Sequence, residues 1–213
     1  MNWLVKEVDS VKCFLKSILA GIMIAIGGTV YLSLDNKVVG ASLFTIGLVS
    51  VLLCNFNLYT GKIGYLVNNF NLKYIKEMFI TLVGNFIGAS FIGFILRYTR
   101  IYSNVKSKSD ILAVAKLNDS LLSIFILSIF CGLLMYFAVN GFKKVNDFGK
   151  YLVVYLGVVV FILCGFEHCI ANIYYFSVAD VWSLKTLGYV GVMILGNSIG
   201  AFILPLFNLY IKD

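Results

Sequence analysis

The chain has 213 residues, of which 61% are hydrophobic, and its mean hydropathy is +0.95. A soluble domain of this length leaves much of its surface in water, so the composition excludes a water-soluble globular protein and indicates a membrane protein. The formal charge of +7 suits cytoplasmic anchoring or an anionic solute. Nucleic acid is not expected as a partner, because no basic block is interleaved with exposed aromatic residues.

Six apolar runs follow one another, and each is near or above the roughly 20 residues that a helix needs to cross a bilayer. They occupy about residues 13–34, 38–69, 78–98, 121–140, 151–178 and 186–211. The pattern predicts an all-α membrane protein with six transmembrane helices, folded as a single transmembrane domain over residues 1–213. The basic stretch 97–119 is expected to be a loop.

A six-residue string, GNFIGA at residues 84–89, returns as GNSIGA at residues 196–201. Each copy lies near the start of a run that closes a set of three. The glycine spacing allows helices to approach closely, but the repetition of Asn and Ile in register requires a duplication. Because three spans per copy is an odd number, the second copy would enter the membrane from the opposite side. The sequence therefore predicts a 3+3 inverted repeat, with halves at about residues 12–98 and 117–211.

The second and fifth runs carry polar residues at mid-segment, around Asn55 to Lys62 and around Glu167 to Asn172. Backbone can leave helical geometry at membrane depth only where it is buried in protein or lines a wet cavity. We therefore expect the second and fifth helices to be interrupted and to face one another along a path through the bilayer. The alternative is that these polar residues only hold neighbouring helices together.

His168 is the single histidine of the chain, and it lies beside Glu167 in the middle of the fifth run. Ionisable groups at such depth are costly and usually face a cavity or a partner. His168 is a candidate donor of a proton or a hydrogen bond to a passing anion, and the alternative is a neutral core histidine held by a hydrogen bond. Glu167 is expected to orient nearby backbone amides or helix ends, because like charges repel.

Five cysteines, Cys13, Cys54, Cys131, Cys164 and Cys169, lie within or beside the apolar runs with no paired spacing. They are interpreted as small buried hydrophobic residues. Their spacing matches neither a disulfide framework nor a zinc site, so no metal and no cofactor is predicted.

The stretch GFEHCIAN at residues 165–172 closely resembles the GFEHSxAN signature of the formate/nitrite transporter family. Lys12-x-Phe14 resembles the first-helix pattern of that family, LYTG at residues 58–61 its LFTG stretch, and GNxIG at residues 196–200 its last-helix pattern. The resemblance covers about residues 12–210. It implies an aquaporin-like protomer, a homopentamer, and a channel for small monovalent anions or their conjugate weak acids, such as formate, nitrite or hydrosulfide.

Carried over position by position, the resemblance also implies site residues. His168 would be the central histidine with Thr60 beside it, and Lys116 the lysine of the outer vestibule. Leu48 and Phe161 would form the apolar constriction, and Leu58 would lie near the inner slit. Asn172 and Asn197 would hydrogen-bond the broken loops. The chain departs from the family at Gly132, where relatives often carry Asn, and at Lys62, where they usually carry a small polar residue.

Six spans place both termini on one side of the inner (plasma) membrane. A cytoplasmic location of the termini is predicted, because it puts ten of the 17 Lys and Arg residues inside. Two other functions stay open: an intramembrane enzyme using His168 with Glu167 or Cys169, and a scaffold with no path. Adjacent helical residues point apart, which argues against the enzyme, and the interrupted helices argue against the scaffold. A water channel of the paired Asn-Pro-Ala type is excluded, because the single proline, Pro205, is in the wrong place.

Overall fold

The computed structural model describes residues 10–211, and within this range the backbone forms nine α-helices and two short 3-10 segments with no strand. The all-α prediction is confirmed. In chain order the helices are α1 (Ser10–Ser33), α2 (Lys37–Leu53), α3 (Tyr59–Lys62), α4 (Leu72–Ile95), α5 (Tyr102–Leu117), α6 (Leu121–Lys144), α7 (Gly149–Leu163), α8 (Cys169–Ala179) and α9 (Leu184–Ile211); the 3-10 segments are Ile63–Val67 and Leu96–Tyr98. The two chain ends, which are predicted to be cytoplasmic, lie outside the described residues.

Four segments of the described chain are long and apolar enough to span a membrane: Ser10–Ser33, Leu72–Tyr98, Leu121–Lys144 and Leu184–Ile211. They coincide with the first, third, fourth and sixth predicted runs. The other apolar helices, α2, α7 and α8, are shorter.

Helical geometry stops within the second and fifth predicted runs, as expected from their polar residues. The first break comprises residues 54–58, between α2 and α3, and the second break comprises residues 164–168, between α7 and α8. α2 packs against α7, so the two helices that lead into the breaks are neighbours.

Polar side chains begin several of the helices. Asn36 accepts hydrogen bonds from the amides of Val38 and Val39 at the start of α2, and Asn71 caps α4 in the same way. Ser120 accepts from the amide of Ser123 at the start of α6. These caps satisfy amides that have no partner within the helix, and so they fix where α2, α4 and α6 begin.

α1 packs along α4, and α6 packs along α9, with glycine at both contacts. A Cβ atom on Gly88 would overlap the carbonyl oxygen of Ile18, and one on Gly200 would overlap that of Ile129. Both obstacles are backbone atoms, which cannot move without shifting a helix. The close helix approach predicted from the glycine spacing is confirmed.

The basic stretch 97–119 is a helix over most of its length, so the prediction of a loop there is wrong. Val105, Ser109 and Ala113 recur every four residues and form the buried face of α5. The Ser109 hydroxyl donates to the carbonyl oxygen of Tyr175 in α8 at 2.7 Å. These buried side chains are small and lie among lysines, so the stretch has little apolar periodicity in sequence.

The prediction that the cysteines are buried holds for Cys13, Cys131 and Cys169 and is wrong for Cys54 and Cys164. The two exposed cysteines occupy equivalent places, each directly after the helix that leads into a break. At those positions the chain turns, and the side chain leaves the packed face of the helix.

Candidate functional site

The two breaks follow the same backbone path. Asn55 and Gly165, each the second residue of its break, have positive φ angles of 53° and 68°. Glycine adopts this region freely, and asparagine is among the few other residues that tolerate it. The amides of Phe56 and Phe166 then each donate to the carbonyl five residues earlier at 2.9 Å. Both turns are therefore closed by the same hydrogen bond.

Asn85 of α4 satisfies the freed backbone of the first break. Its Oδ1 accepts from the amide of Tyr59 at 2.8 Å, and its Nδ2 donates to the carbonyl of Asn57 at 2.8 Å and to that of Ser17 at 2.7 Å. Asn85 is fully buried. Asn85 is not among the site residues predicted from sequence, although its place in the repeated string was the signal that could have found it.

Asn197 of α9 does the same for the second break. Its Oδ1 accepts from the amide of Cys169 at 2.9 Å, and its Nδ2 donates to the carbonyls of Glu167 and Ser128 at 2.7 and 2.8 Å. Gly132 of α6 lies against the backbone of Asn197, where a Cβ atom would overlap it. Each buried asparagine thus pairs polar backbone groups that lipid could not satisfy.

Thr60 and His168 meet between the breaks. The Oγ1 of Thr60 lies 2.8 Å from Nε2 of His168, and both side chains are buried. His168 also begins α8, because its Nδ1 accepts from the amide of Ala171 at 3.1 Å. A neutral imidazole that accepts at Nδ1 carries its hydrogen on Nε2, so His168 donates to the Thr60 hydroxyl. The hydroxyl hydrogen of Thr60 is then available to another acceptor.

Three apolar side chains predicted to narrow the path, Leu48, Leu58 and Phe161, are each buried. Phe161 stacks on the His168 ring with centroids 5.6 Å apart, and Phe44 meets Phe161 edge-on at 5.9 Å. The surroundings of the imidazole are therefore aromatic and apolar on the Phe161 side.

Two cavities approach this point. The first, of about 260 Å³, is lined by residues that include Leu48, Leu58 and Lys62. The second, of about 190 Å³, is lined by residues that include Phe161, His168 and Lys116. His168 lines the second cavity, and Thr60 is the chain neighbour of Gly61, which lines the first. The hydrogen bond between Thr60 and His168 therefore lies between the two cavities.

Lys116 is ion-paired with Glu167, with Nζ and Oε2 2.5 Å apart and the side chains 12% and 5% exposed. The same oxygen accepts from Nδ2 of Asn172 at 2.6 Å. Sequence reasoning expected Lys116 to offer its charge to a solute and Glu167 to orient backbone amides. In the structure the two charges compensate one another, and Asn172 bonds a carboxylate of the second break rather than its backbone.

The family model described as Formate/nitrite transporter matches residues 5–211. The match covers nearly the whole chain, and the chain belongs to the formate/nitrite transporter family. It is accordingly a multi-pass membrane protein.

Curated relatives are about a quarter identical to this chain where the sequences align. The formate-nitrite transporter of Plasmodium ovale is 28% identical over 196 aligned residues, and the match covers 77% of this chain and 63% of that protein. A formate channel of Haemophilus influenzae is 26% identical over 201 aligned residues, and the match covers 79% of this chain and 70% of that protein. The chain thus spans less than two thirds of the Plasmodium ovale relative.

Two solved structures share the fold. One, described as an FNT family ion channel, superposes with a TM-score of 0.84 at 20% identity over 96% of this chain and 92% of that one. Another, described as a pentameric formate channel with formate bound, gives a TM-score of 0.78 at 22% identity over 97% of this chain and 100% of that one. At this identity the likeness establishes the helical channel fold.

Proposed function

We propose that this protein is a channel or transporter for small monovalent anions or their conjugate weak acids, of the formate, nitrite and hydrosulfide class, and that it is not an enzyme. The observation that carries the proposal is the hydrogen bond between Thr60 and His168. This bond connects the segments at the two breaks, and it lies between two cavities whose linings each include lysine. Family membership and the names of the relatives support the same solute class.

The proposed architecture is one domain over residues 1–213 that crosses the plasma membrane six times as a 3+3 inverted repeat. Its halves are residues 12–98 and 117–211, and both termini are cytoplasmic. Support comes from the matched geometry of the breaks, in which Asn85 and Asn197 make the same three hydrogen bonds. We also propose a homopentamer, since a solved structure with this fold is described as pentameric.

In the proposed path an anion enters the cavity that contains Lys116 and must then pass the apolar side chains of Phe161 and Leu48. A bare charge in such a constriction costs several kcal/mol, whereas a neutral weak acid crosses at a lower cost. A proton from solvent converts the anion to that acid, since the neutral His168 ring already donates its single N–H hydrogen to Thr60. The Thr60 hydroxyl, which accepts from His168, donates its own hydrogen to the solute in either state.

An intramembrane enzyme finds no support in the geometry of His168. Its two ring nitrogens bond Thr60 and the amide of Ala171, so neither is directed to Cys169 or Glu167. A nucleophile and its base must be within hydrogen-bond reach of one another.

Solute flux into vesicles tests the proposal. Purified protein in liposomes is mixed rapidly with formate, nitrite or hydrosulfide, and uptake is compared with that of the bulky anion gluconate and with protein-free liposomes. The proposal predicts that the protein-containing liposomes take up at least one small anion faster than the protein-free liposomes do. Gluconate uptake should be no faster with protein than without it. Equal rates with and without protein for all three small anions would contradict it.

A further inference from the structure

A second cluster of lysine, carboxylate and amide lies at the cavity bordered by Leu58. Lys62 forms an ion pair with Glu77, and its Nζ donates to Oδ1 of Asn57 at 3.1 Å. Lys62 and Lys143 both line this cavity. The path described above makes no use of these charges.

The cluster is the counterpart of the Lys116 cluster at the other break. The amides of Asn57 and Glu167 occupy equivalent places, since each donates at 3.3 Å to a carbonyl of a neighbouring long helix. Five residues later stand Lys62 and Asn172, and each bonds its partner in the break, Asn57 or Glu167. The first break thus pairs an amide with an ammonium, and the second pairs a carboxylate with an amide.

In each cluster the remaining charged residue comes from a helix beside the break. It is a glutamate at the first break and a lysine at the second. Glu77 of α4 faces Lys62 at the first break, and Lys116 of α5 faces Glu167 at the second. In each cluster one ammonium is paired with one carboxylate. At the first break the lysine lies in α3, directly after the break, whereas at the second the carboxylate lies in the break itself.

The lining of the first cavity is positively charged. Among the described residues it includes two lysines, Lys62 and Lys143, and no carboxylate. The Nζ of Lys143 lies 4.1 Å from the centroid of the Tyr65 ring, which holds it at the cavity wall. Two ammonium groups suit a small monoanion, because each offers hydrogen-bond donors to its oxygens.

We propose that Lys62 and Lys143 bind a small carboxylate monoanion in the cavity bordered by Leu58, and that Glu77 competes with it for Lys62. The anion replaces a Glu77 oxygen as the acceptor of the Lys62 ammonium, and no proton is transferred. The inference rests on the proposed function for its ligand class. It adds a second binding site, on the side of the Thr60–His168 pair opposite to Lys116.

Binding to detergent-purified protein tests the inference without any flux. The thermal unfolding midpoint is followed against sodium formate, with ionic strength held constant by sodium gluconate, and the half-saturating concentration is extracted. Lys62→Gln and Lys143→Gln are expected to raise that concentration by about threefold or more, and Glu77→Gln to lower it by a similar factor. Lys144→Gln, which alters the next residue outside the cavity lining, is the matched control and should equal the wild type.

The opposite shifts separate binding from misfolding, since a damaged protein would not bind formate more tightly. Lys143→Gln is a further test variant, because it leaves the hydrogen bond between Lys62 and Asn57 at the first break in place. Half-saturating concentrations that are equal in the wild type, Lys62→Gln and Glu77→Gln would overturn the inference, as would a wild type with no saturable response to formate. Binding that depends on Lys62 and Glu77 without any vesicle flux would leave the inference standing and overturn the proposed function.

Discussion

The Oγ1 of Thr60 and Nε2 of His168 lie 2.8 Å apart although 108 residues separate them in the chain. Because Nδ1 of His168 accepts from the amide of Ala171, the direction of the bond is set, with the imidazole donating and the hydroxyl accepting. One contact thereby joins α3, which follows the first break, to the last residue of the second break.

Replacing Thr60 with Val should remove the acceptor and leave the buried Nε2–H of His168 without its partner. The expected loss is about 1–3 kcal/mol of unfolding free energy, accompanied by a drop in formate flux. Thr60→Ser keeps the hydroxyl and should retain most of both. Chemical unfolding in detergent and vesicle uptake measure the two effects, and equal behaviour of the Val and Ser variants would argue against the hydrogen bond.

Truncating Asn85 or Asn197 to Ala should each remove three hydrogen bonds from buried backbone. Backbone groups left unpaired at this depth cannot hydrogen-bond to water. Each variant is therefore expected to lose more than about 3 kcal/mol of unfolding free energy or to fail to fold. Asn208→Ala, at an exposed position of α9, is the control. Yield of monodisperse protein and its unfolding midpoint are the readouts, and a stable Asn85→Ala protein would contradict the role assigned to that amide.

Gly200→Ala should force α9 away from α6, because its Cβ would overlap the Ile129 carbonyl. The expected destabilisation is about 1–3 kcal/mol. Gly191→Ala lies in the same helix with no atom within 4 Å of its new Cβ, so it should be neutral or stabilise α9 by up to about 1 kcal/mol. The difference between the two unfolding midpoints is the measurement, and equal midpoints would rule out the close contact.

Replacing one partner of the ion pair between Lys116 and Glu167 should lower the unfolding free energy more than replacing both partners. Lys116→Met leaves a buried carboxylate uncompensated, for which about 3–5 kcal/mol is typical, whereas the double variant with Glu167→Gln should regain part of that loss. A double-mutant cycle on unfolding free energies measures the coupling. Additive losses would show that the two charges act independently.

Asp35 lies between α1 and α2, outside the spanning helices. A hydrogen bond from Lys108 at 2.7 Å, reinforced by its charge, lowers the pKa of this carboxyl below its ordinary value. The contribution of the pair to stability is therefore present above the unfolded pKa and is lost as the pH falls through the lowered one. Lys108→Gln should raise the pKa of Asp35 back toward its ordinary value. Carbon-13 NMR of the carboxyl group measures it, and an unchanged pKa would exclude the contact.

Much of the architecture could be predicted from sequence because lipid imposes strict rules. Polar residues around Asn57 and Glu167 within apolar runs indicate the breaks, since polar backbone at that depth must be buried in protein or line a cavity. The resemblance to the family pattern pointed to Asn197 and not to its counterpart Asn85, although the duplicated string contains both.

Contacts between distant charges could not be predicted in the same way. Lys116 was expected to offer its charge to a solute, yet α5 is a helix that brings it against Glu167. The buried face of α5 consists of three small side chains, Val105, Ser109 and Ala113, whose periodicity is hidden among lysines. The pairing of Lys62 with Glu77 likewise depends on how α4 packs beside the first break, which spacing along the chain does not specify.

Formate uptake into vesicles by the wild type and by His168→Phe, at matched protein density, measures whether the Thr60–His168 pair lies on the solute path. Uptake through the wild type should be well above that of protein-free vesicles, and uptake through His168→Phe, which lacks the hydrogen bond to Thr60, should be much slower. Wild-type uptake no faster than in protein-free vesicles, or equal uptake through the two proteins, would contradict the proposed path.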